Sequence, residues 1–160
     1  MASMNTELDR LTGLPTQRTF FANLEIPANS GKKIGFIYAD IDCMRHVNNV
    51  AGNEGGDAVL RIVAQAFTKR FGKHCCRYGG EQFLAVWSCA DRMDVLAQAE
   101  AIRADVAALI FPEHREVALT IRVGIAVWPE DANSIEELLR RADDGLYRAK
   151  KDGGNCVRSA

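Results

Sequence analysis

The sequence predicts an α+β fold, a ferredoxin-like antiparallel sheet with the element order βααββαβ and helices packed around it. Short apolar runs rich in β-branched residues alternate with amphipathic stretches at helical spacing. A pair of adjacent glycines separates two of these runs, as in a hairpin. The length of 160 residues suits one domain with a buried core. This order of elements is typical of a sheet that carries its helices on one face.

The first half of the chain predicts a helix, a loop, a strand and an interrupted helix. Thr16 is a predicted N-cap for a helix over "LPTQRTFFANL", and a cluster of Pro, Asn, Ser and Gly predicts a loop from Ile26 to Lys33. The apolar run "KIGFIYADID" predicts a buried central strand that ends in carboxylates. A short helix is expected from Met44 to Val50, and a longer one resumes after a break near Gly52, Gly55 and Gly56.

The second half predicts a hairpin, a helix, a long strand and a final helix. The runs "KHCCRY" and "FLAVWS" predict strands that flank Gly79-Gly80-Glu81-Gln82. An amphipathic helix over "DRMDVLAQAEAIRADVAALI" precedes a long strand over "EVALTIRVGIAVW". The last helix is predicted to start at Ser134, with Glu137 completing a capping box, and to stop at Gly153-Gly154.

Composition excludes several classes of protein. Lys and Arg number 20 against 21 Asp and Glu, and this net charge of -1 gives no broad basic face for nucleic acid. No apolar run is long enough to cross a membrane, so no membrane contact is expected. The odd number of cysteines, five, predicts reduced thiols in a cytoplasmic protein. Residues 1–3 resemble a cloning remnant, and residues 4–160 are expected to form a single domain.

Two carboxylates carry the first functional prediction. In the predicted sheet, the central strand lies beside the hairpin, so Asp40 at the strand end approaches Glu81 at the hairpin tip. Two acids that close repel each other unless a cation lies between them, and carboxylate oxygens suit Mg²⁺ or Mn²⁺. A solvent-exposed hairpin loop with polar residues of no special function explains the same spacing, and spacing alone leaves both interpretations open.

The chain resembles the GGDEF domain, the diguanylate cyclase module, from Asp9 to Asn155. The matching segments, in order, are "DRLTGLPTQRTF", "IYADIDCMRHVNNVAGNEGGDAVL", "RYGGEQF", "VGIAVWPED" and "RADDGLYRAKKDGGN". The signature stands here as the variant GGEQF. The resemblance implies a palm-type, nucleotidyl-cyclase-like fold over residues 4–160.

The resemblance implies a reaction and a metal site. Two GTP molecules, one on each domain of a two-fold homodimer, would condense into cyclic di-GMP, a bacterial second messenger, with release of pyrophosphate. Asp40, Glu81 and the backbone carbonyl of Ile41 would be ligands in a two-metal type of site that holds Mg²⁺ or Mn²⁺. Gln82 follows Glu81 in the catalytic turn.

The resemblance also implies a GTP-binding site. Asn48 and Asp57 would bind guanine, Lys150 would contact phosphate, and a turn at the start of a helix would present N–H groups to the β and γ phosphates; that turn is Cys43, Met44 and Arg45. Taken singly, each residue also has an ordinary structural explanation: asparagines form loops, aspartates favour helix starts and a lysine at a helix end is solvated.

Several positions depart from the family pattern. Gln82 replaces a glutamate and loses its negative charge, and we expect this to lower the rate by about 10²–10³-fold. Gly154 stands where the family offers an arginine, and Asn49 stands where an aspartate is common. Upstream of the hairpin, the inhibitory Arg-x-x-Asp becomes Arg70 to Lys73, which predicts weak or absent feedback binding of cyclic di-GMP.

Three functions fit these residues. The first is a diguanylate cyclase, slowed by Gln82. The second is a degenerate GGDEF domain that binds GTP without turnover and signals through a partner. The third is a plain dimerisation module, against which the guanine-binding pair of Asn48 and Asp57 argues. A sensor or receiver domain is expected in a longer parent chain.

Overall fold

The computed structural model describes residues 6–25 and 30–160. Part of the predicted loop, residues 26–29, lies outside this description, and Lys33 already belongs to the first strand. The helices and strands, in chain order, are α1 (Gln17–Ala22), β1 (Lys33–Ile41), α2 (Met44–Phe71), β2 (Cys75–Gly79), β3 (Gln82–Cys89), α3 (Arg92–Ala107), β4 (Ile121–Trp128), α4 (Ile135–Lys151) and β5 (Val157–Ser159).

The sheet has the strand order β2-β3-β1-β4-β5. Strand β1 pairs antiparallel with β3 and with β4, which confirms its predicted central position beside the hairpin. Strand β5 was not predicted, and it runs parallel to β4, so the sheet is mixed rather than wholly antiparallel. Helix α4 connects β4 to β5 as a crossover, and such a connection returns the chain in the same direction.

Helices cover both faces of the sheet, and the expectation of one covered face was wrong. One core cluster joins the sheet to α2 and α3, and a second joins it to α1 and α4. Almost every residue of β1 is buried, because a strand covered on both faces needs a continuous apolar run rather than an alternating one. Phe67 of α2 stacks on Phe83 of β3 with ring centroids 5.0 Å apart.

The predicted N-caps are confirmed, but the Glu137 carboxylate accepts from the Asn133 amide at 2.9 Å instead of closing the predicted capping box on the Ser134 amide. The Thr16 side chain accepts a hydrogen bond from the Thr19 amide, and the Ser134 hydroxyl accepts one from the Glu137 amide at 3.1 Å. Each such cap stabilises its helix by about 1 kcal/mol. The long strand predicted over "EVALTIRVGIAVW" is shorter than expected, since β4 starts only at Ile121.

The interrupted helix is a single kinked element. Only Gly52 leaves the helical conformation, at φ 69° and ψ -174°, and the chain is helical again directly afterwards. Gly55 and Gly56 are buried within the second segment, so the predicted break at these two positions was wrong. The kink folds Asn48 back towards Gly56, where an added Cβ would overlap the Asn48 side-chain oxygen.

Candidate active site

The ends of β1, β3 and β4 meet at one edge of the sheet. Asp40 lies directly opposite Gln82 of β3 and opposite Arg122 of β4. Residues directly opposite each other in antiparallel strands project from the same face, so the three side chains are neighbours. The Ile41 amide donates a hydrogen bond to the Glu81 carbonyl oxygen at 3.1 Å, which fixes the hairpin tip against the end of β1.

The Asp40 carboxylate is buried, and only one of its two oxygens has a hydrogen-bond partner in the described part of the chain. Its Oδ2 accepts a hydrogen bond from Arg122 Nη2 at 2.9 Å, and the Asp40 residue is 9% exposed. Its Oδ1 is buried and has no hydrogen-bond partner within the described part of the chain. A buried acceptor without a partner costs about 1–3 kcal/mol, more when it is charged, so this oxygen is suited to a ligand with positive charge.

Glu81 lies close enough to Asp40 for the two carboxylates to interact. Burial raises the pKa of Glu81, and the negative charge of Asp40 raises it further, while the charges of Arg122 and Lys150 act in the opposite direction. The structure thus brings the two acids together with one partly buried arginine, and the exposed Lys150 contributes from the last turn of α4. In the ranges 6–25 and 30–160, no three His, Cys, Asp or Glu side chains form a metal-binding cluster.

A second buried acid, Asp42, is fully engaged in protein contacts. Its Oδ2 accepts hydrogen bonds from Thr120 Oγ1 and from the Asn155 amide, both at 2.8 Å. Its Oδ1 lies 3.5 Å from Arg122 Nη1. Asp42 therefore ties the end of β1 to β4 and to the turn after α4, a structural role that the sequence analysis missed.

The Asp42 carboxylate leaves room only for glycine at position 154. Gly154 has a φ of +78°, and an added Cβ would overlap the Asp42 carboxylate. In the family pattern this position offers an arginine. In this structure any side chain at position 154 would displace Asp42.

The predicted phosphate-binding turn is at the N-terminus of α2. Cys43 is exposed and takes the left-handed conformation at φ 58°, without a side-chain hydrogen bond to the helix end. Such a conformation costs a non-glycine residue about 1–3 kcal/mol and is frequent at functional sites. Met44 is buried, whereas Arg45 is exposed beside it. Free N–H groups at a helix start suit phosphate oxygens.

The predicted guanine-binding residues lie together on α2. Asn48 and Asp57 are both exposed. The Asn48 side chain packs over Gly56, the residue directly before Asp57, and only glycine leaves room for it there. The kink at Gly52 brings Asn48 to Gly56, eight positions along the chain.

Gln82 has a partner for its amide oxygen. The Tyr38 hydroxyl donates a hydrogen bond to Gln82 Oε1 at 2.9 Å. Tyr38 is buried, and burial raises the pKa of its hydroxyl, so it remains a donor at neutral pH. The Gln82 amide oxygen therefore already accepts one hydrogen bond from the protein.

The predicted inhibitory pair lies away from these acids, at the C-terminal end of α2. Arg70 is held by α3, with its Nε 2.8 Å and its Nη2 2.7 Å from Asp105 Oδ2. Lys73 is exposed in the turn before β2. The Arg70 guanidinium is thus held in place, but Lys73, three residues later, carries a positive charge where the inhibitory pattern has an aspartate.

The cysteines form no disulfide; all five are free. Burial raises the pKa of both Cys75 and Cys76 to about 12, so neither thiol is ionised at neutral pH.

No helix of residues 6–25 or 30–160 is long and apolar enough to span a membrane.

Known proteins share this fold. A family model described as "Diguanylate cyclase, GGDEF domain" matches residues 6–156, so the chain belongs to the GGDEF domain family. The response regulator PleD of Caulobacter vibrioides is 34% identical over 158 residues, which cover 93% of this chain. The match spans only 35% of PleD, about a third of that relative.

Two solved structures define the fold more closely. The GGDEF domain of DgcB from Caulobacter crescentus, solved in complex with c-di-GMP, has a TM-score of 0.86 and 27% identity, covering 99% of this chain and 98% of that one. The active GGEEF domain of a diguanylate cyclase from Vibrio cholerae has a TM-score of 0.70 and 30% identity, covering 78% of this chain and 80% of that one. The mixed α+β architecture is that of the cyclase palm fold.

Proposed function

We propose that this domain is a slow diguanylate cyclase, which condenses two GTP molecules into cyclic di-GMP and releases two pyrophosphates. One observation supports the proposal above the others: Asp40 and Glu81 converge at the sheet edge, and Asp40 Oδ1 is buried without a protein partner. The family membership adds to it, because relatives of the same fold are named diguanylate cyclases.

The residues of the site fit a divalent cation. Asp40 Oδ1 needs positive charge, Glu81 offers a second carboxylate, and hard oxygen ligands suit Mg²⁺ or Mn²⁺. The backbone carbonyl of Ile41 would complete the protein ligands. A bound ion would lower the pKa of a hydroxyl group and neutralise charge on a leaving pyrophosphate.

The remaining site residues would bind and orient GTP. Asn48 and Asp57 would hydrogen-bond guanine, with the Asp57 carboxylate accepting from the N–H groups that adenine lacks. Lys150 would pair with phosphate, and the backbone N–H groups at the start of α2 would bind the β and γ phosphates; these phosphate-binding residues include Cys43, Met44 and Arg45.

The proposed reaction needs two copies of the domain. The 3′-hydroxyl oxygen of one GTP attacks the α-phosphorus of the other, the bond from that phosphorus to the bridging oxygen breaks, and pyrophosphate leaves. The hydroxyl proton passes to solvent water, and Glu81 would help to hold the cation that acidifies the hydroxyl group. The same step, repeated in the opposite direction, closes the ring. A two-fold homodimer supplies this symmetry.

The setting of the domain is part of the proposal. Because the chain spans about a third of PleD, a response regulator, we expect a sensor or receiver domain in a longer parent chain. GTP is the substrate, so the domain would work in the cytoplasm.

A second function has its own support. Gln82 lacks the charge of a glutamate, and its oxygen already accepts a hydrogen bond from Tyr38. This favours a degenerate domain that binds GTP without turnover and signals through a partner.

One experiment separates the two functions. The protein is incubated at high concentration with GTP and Mg²⁺ or Mn²⁺, and nucleotides are resolved by chromatography. Cyclic di-GMP that increases with time, and more than proportionally with protein concentration, supports the cyclase. GTP binding by calorimetry without any product supports the degenerate domain.

A further inference from the structure

We propose that the Arg122 guanidinium serves as a built-in positive charge of this acidic site. The guanidinium holds one carboxylate oxygen of Asp40 and thereby limits the site to one divalent ion. The inference deepens the proposed function, since it rests on the metal site proposed there. It revises the expectation of a two-metal type of site. It also assigns a function to a residue that no sequence motif singled out.

Arg122 is placed between two buried acids. Its Nη2 donates to Asp40 Oδ2 at 2.9 Å, and its Nη1 lies 3.5 Å from Asp42 Oδ1. The three side chains are 15%, 12% and 9% exposed, in the order arginine, Asp40 and Asp42. A planar guanidinium presents fixed donors that can face two carboxylates at once, whereas a lysine presents one compact charge.

The position of Arg122 carries a cost that packing does not explain. Its Nε is buried without a hydrogen-bond partner among the residues that the structure describes. An orphaned buried donor is unfavourable, and more so on a charged group. The ion pairs with Asp40 and Asp42 offset this cost, because either acid would otherwise be buried without its counter-charge.

Charge balance indicates the number of ions. Asp40, Asp42 and Glu81 bring three negative charges to this edge, and the Arg122 guanidinium neutralises one of them. Two negative charges remain, which one divalent cation neutralises. Lys150 is exposed, so its charge acts on Glu81 through solvent and more weakly than the charge of Arg122.

The oxygen atoms available to a metal indicate the same number. Asp42 is engaged through both oxygens, by Thr120, the Asn155 amide and Arg122. Asp40 Oδ2 is taken by Arg122, and only Oδ1 remains without a partner. A second ion that needs Asp40 as a shared ligand would have to displace the guanidinium.

The test is a titration with MnCl₂ in the absence of nucleotide, with free Mn²⁺ followed by electron paramagnetic resonance. We expect one ion per wild-type domain and none in Asp40→Asn. Arg122→Gln is expected to bind Mn²⁺ about 10-fold more tightly and to take a second ion, because a neighbouring positive charge is removed. Unchanged or weaker Mn²⁺ binding by Arg122→Gln, or no Mn²⁺ binding by the wild type, would overturn the inference.

A matched control is available at the other end of the sheet. Arg92 also contacts two carboxylates, those of Glu130 and Asp131. Arg92→Gln is expected to leave the MnCl₂ titration unchanged. If it tightens Mn²⁺ binding as much as Arg122→Gln does, the effect is a general loss of charge and the inference fails.

Thermal melting covers the case in which Arg122→Gln folds poorly. In EDTA its melting temperature is expected to fall below that of the wild type, and MnCl₂ is expected to restore it. If Arg122→Gln does not fold well enough to be titrated, Arg122→Lys decides the matter, because it keeps the charge. Wild-type Mn²⁺ stoichiometry in Arg122→Lys supports the inference, and a second ion contradicts it. None of these Mn²⁺ titrations and melting measurements requires turnover of GTP. A failure of this inference can therefore be distinguished from an absence of diguanylate cyclase activity.

Discussion

The Tyr38 hydroxyl donates a hydrogen bond to the Gln82 amide oxygen at 2.9 Å. Gln82 thus lies beside Asp40 as a neutral, partly occupied group at the position where the family pattern has an acid. We expect Gln82→Glu to raise the rate of cyclic di-GMP formation by about 10²-fold, because a preorganised charge is restored at the catalytic turn. The measurement is initial rate at saturating GTP.

Gln98→Glu is the matched control for this substitution. It adds the same charge on α3, beside Arg70 and away from the acids. Its rate should equal that of the wild type. A Gln82→Glu rate no higher than the wild-type rate would show that the amide is not what slows this domain.

Gly154 is expected to be intolerant of any side chain. Gly154→Ala combines a strained φ of +78° with an overlap between the new Cβ and the Asp42 carboxylate. We expect a loss of about 2–3 kcal/mol in the free energy of unfolding, from strain and from a disturbed buried acid. Urea denaturation measures it.

Gly153→Ala separates the two causes. Gly153 has a φ of +101°, and no atom lies within 4 Å of an added Cβ. This variant should lose only the cost of the left-handed conformation, about 1–2 kcal/mol. Equal losses in the two variants would mean that contact with Asp42 contributes nothing.

The sequence motif around Asp9 is expected to give a pH-dependent stability. Burial opposes ionisation of Asp9, but hydrogen bonds from the Thr12 hydroxyl and amide, at 2.7 and 2.9 Å, and the charge of Arg77 together hold its pKa below the usual 3.8. A lowered pKa stabilises the fold above 3.8, and this contribution is lost as the pH falls through the folded-state value.

Asp9→Asn tests this dependence. The variant should be less stable than the wild type at neutral pH, and the difference should shrink below pH 3.8 as the wild-type carboxylate becomes protonated. Urea midpoints across pH measure it. Asp144→Asn, which removes an exposed acid 3.6 Å from Arg140, should change little. A pH-independent difference for Asp9→Asn would contradict the account.

Feedback binding of cyclic di-GMP is expected to be weak. Arg70 is held by Asp105, but Lys73 replaces the acid that would contact a guanine edge. We expect Lys73→Asp to increase the affinity for cyclic di-GMP, measured by calorimetry, by about 10-fold or more. Lys69→Asp makes the same change of charge on the preceding turn and should have no such effect. Tight binding of two ligands per wild-type domain would contradict the prediction.

Local pattern predicted much of this fold. The caps at Thr16 and Ser134 and the apolar run of β1 depend on neighbouring residues, and all were confirmed. Strand β5 has three residues and exists because α4 returns the chain beside β4, and so short a segment carries no periodicity. Of the glycines near the α2 kink, only Gly52 breaks the helix.

The sequence predicted some residues of the site and missed others, because only some of them stand in a local motif. Asp40 and Glu81 stand in recognisable motifs, whereas Arg122 comes to Asp40 through strand register across 82 positions. Such a pairing has no local signal. Charged residues within an apolar strand run were the available hint, since an arginine in the middle of "TIRVGI" must find a buried partner.

The central claim is that Asp40 and Glu81 act together on GTP, and the decisive measurement is cyclic di-GMP formation by Glu81→Gln beside Glu113→Gln. The second variant makes the same change at an exposed position. We expect product from the wild type and from Glu113→Gln, and a loss of at least about 10²-fold in Glu81→Gln. Undiminished product from Glu81→Gln would contradict the claim.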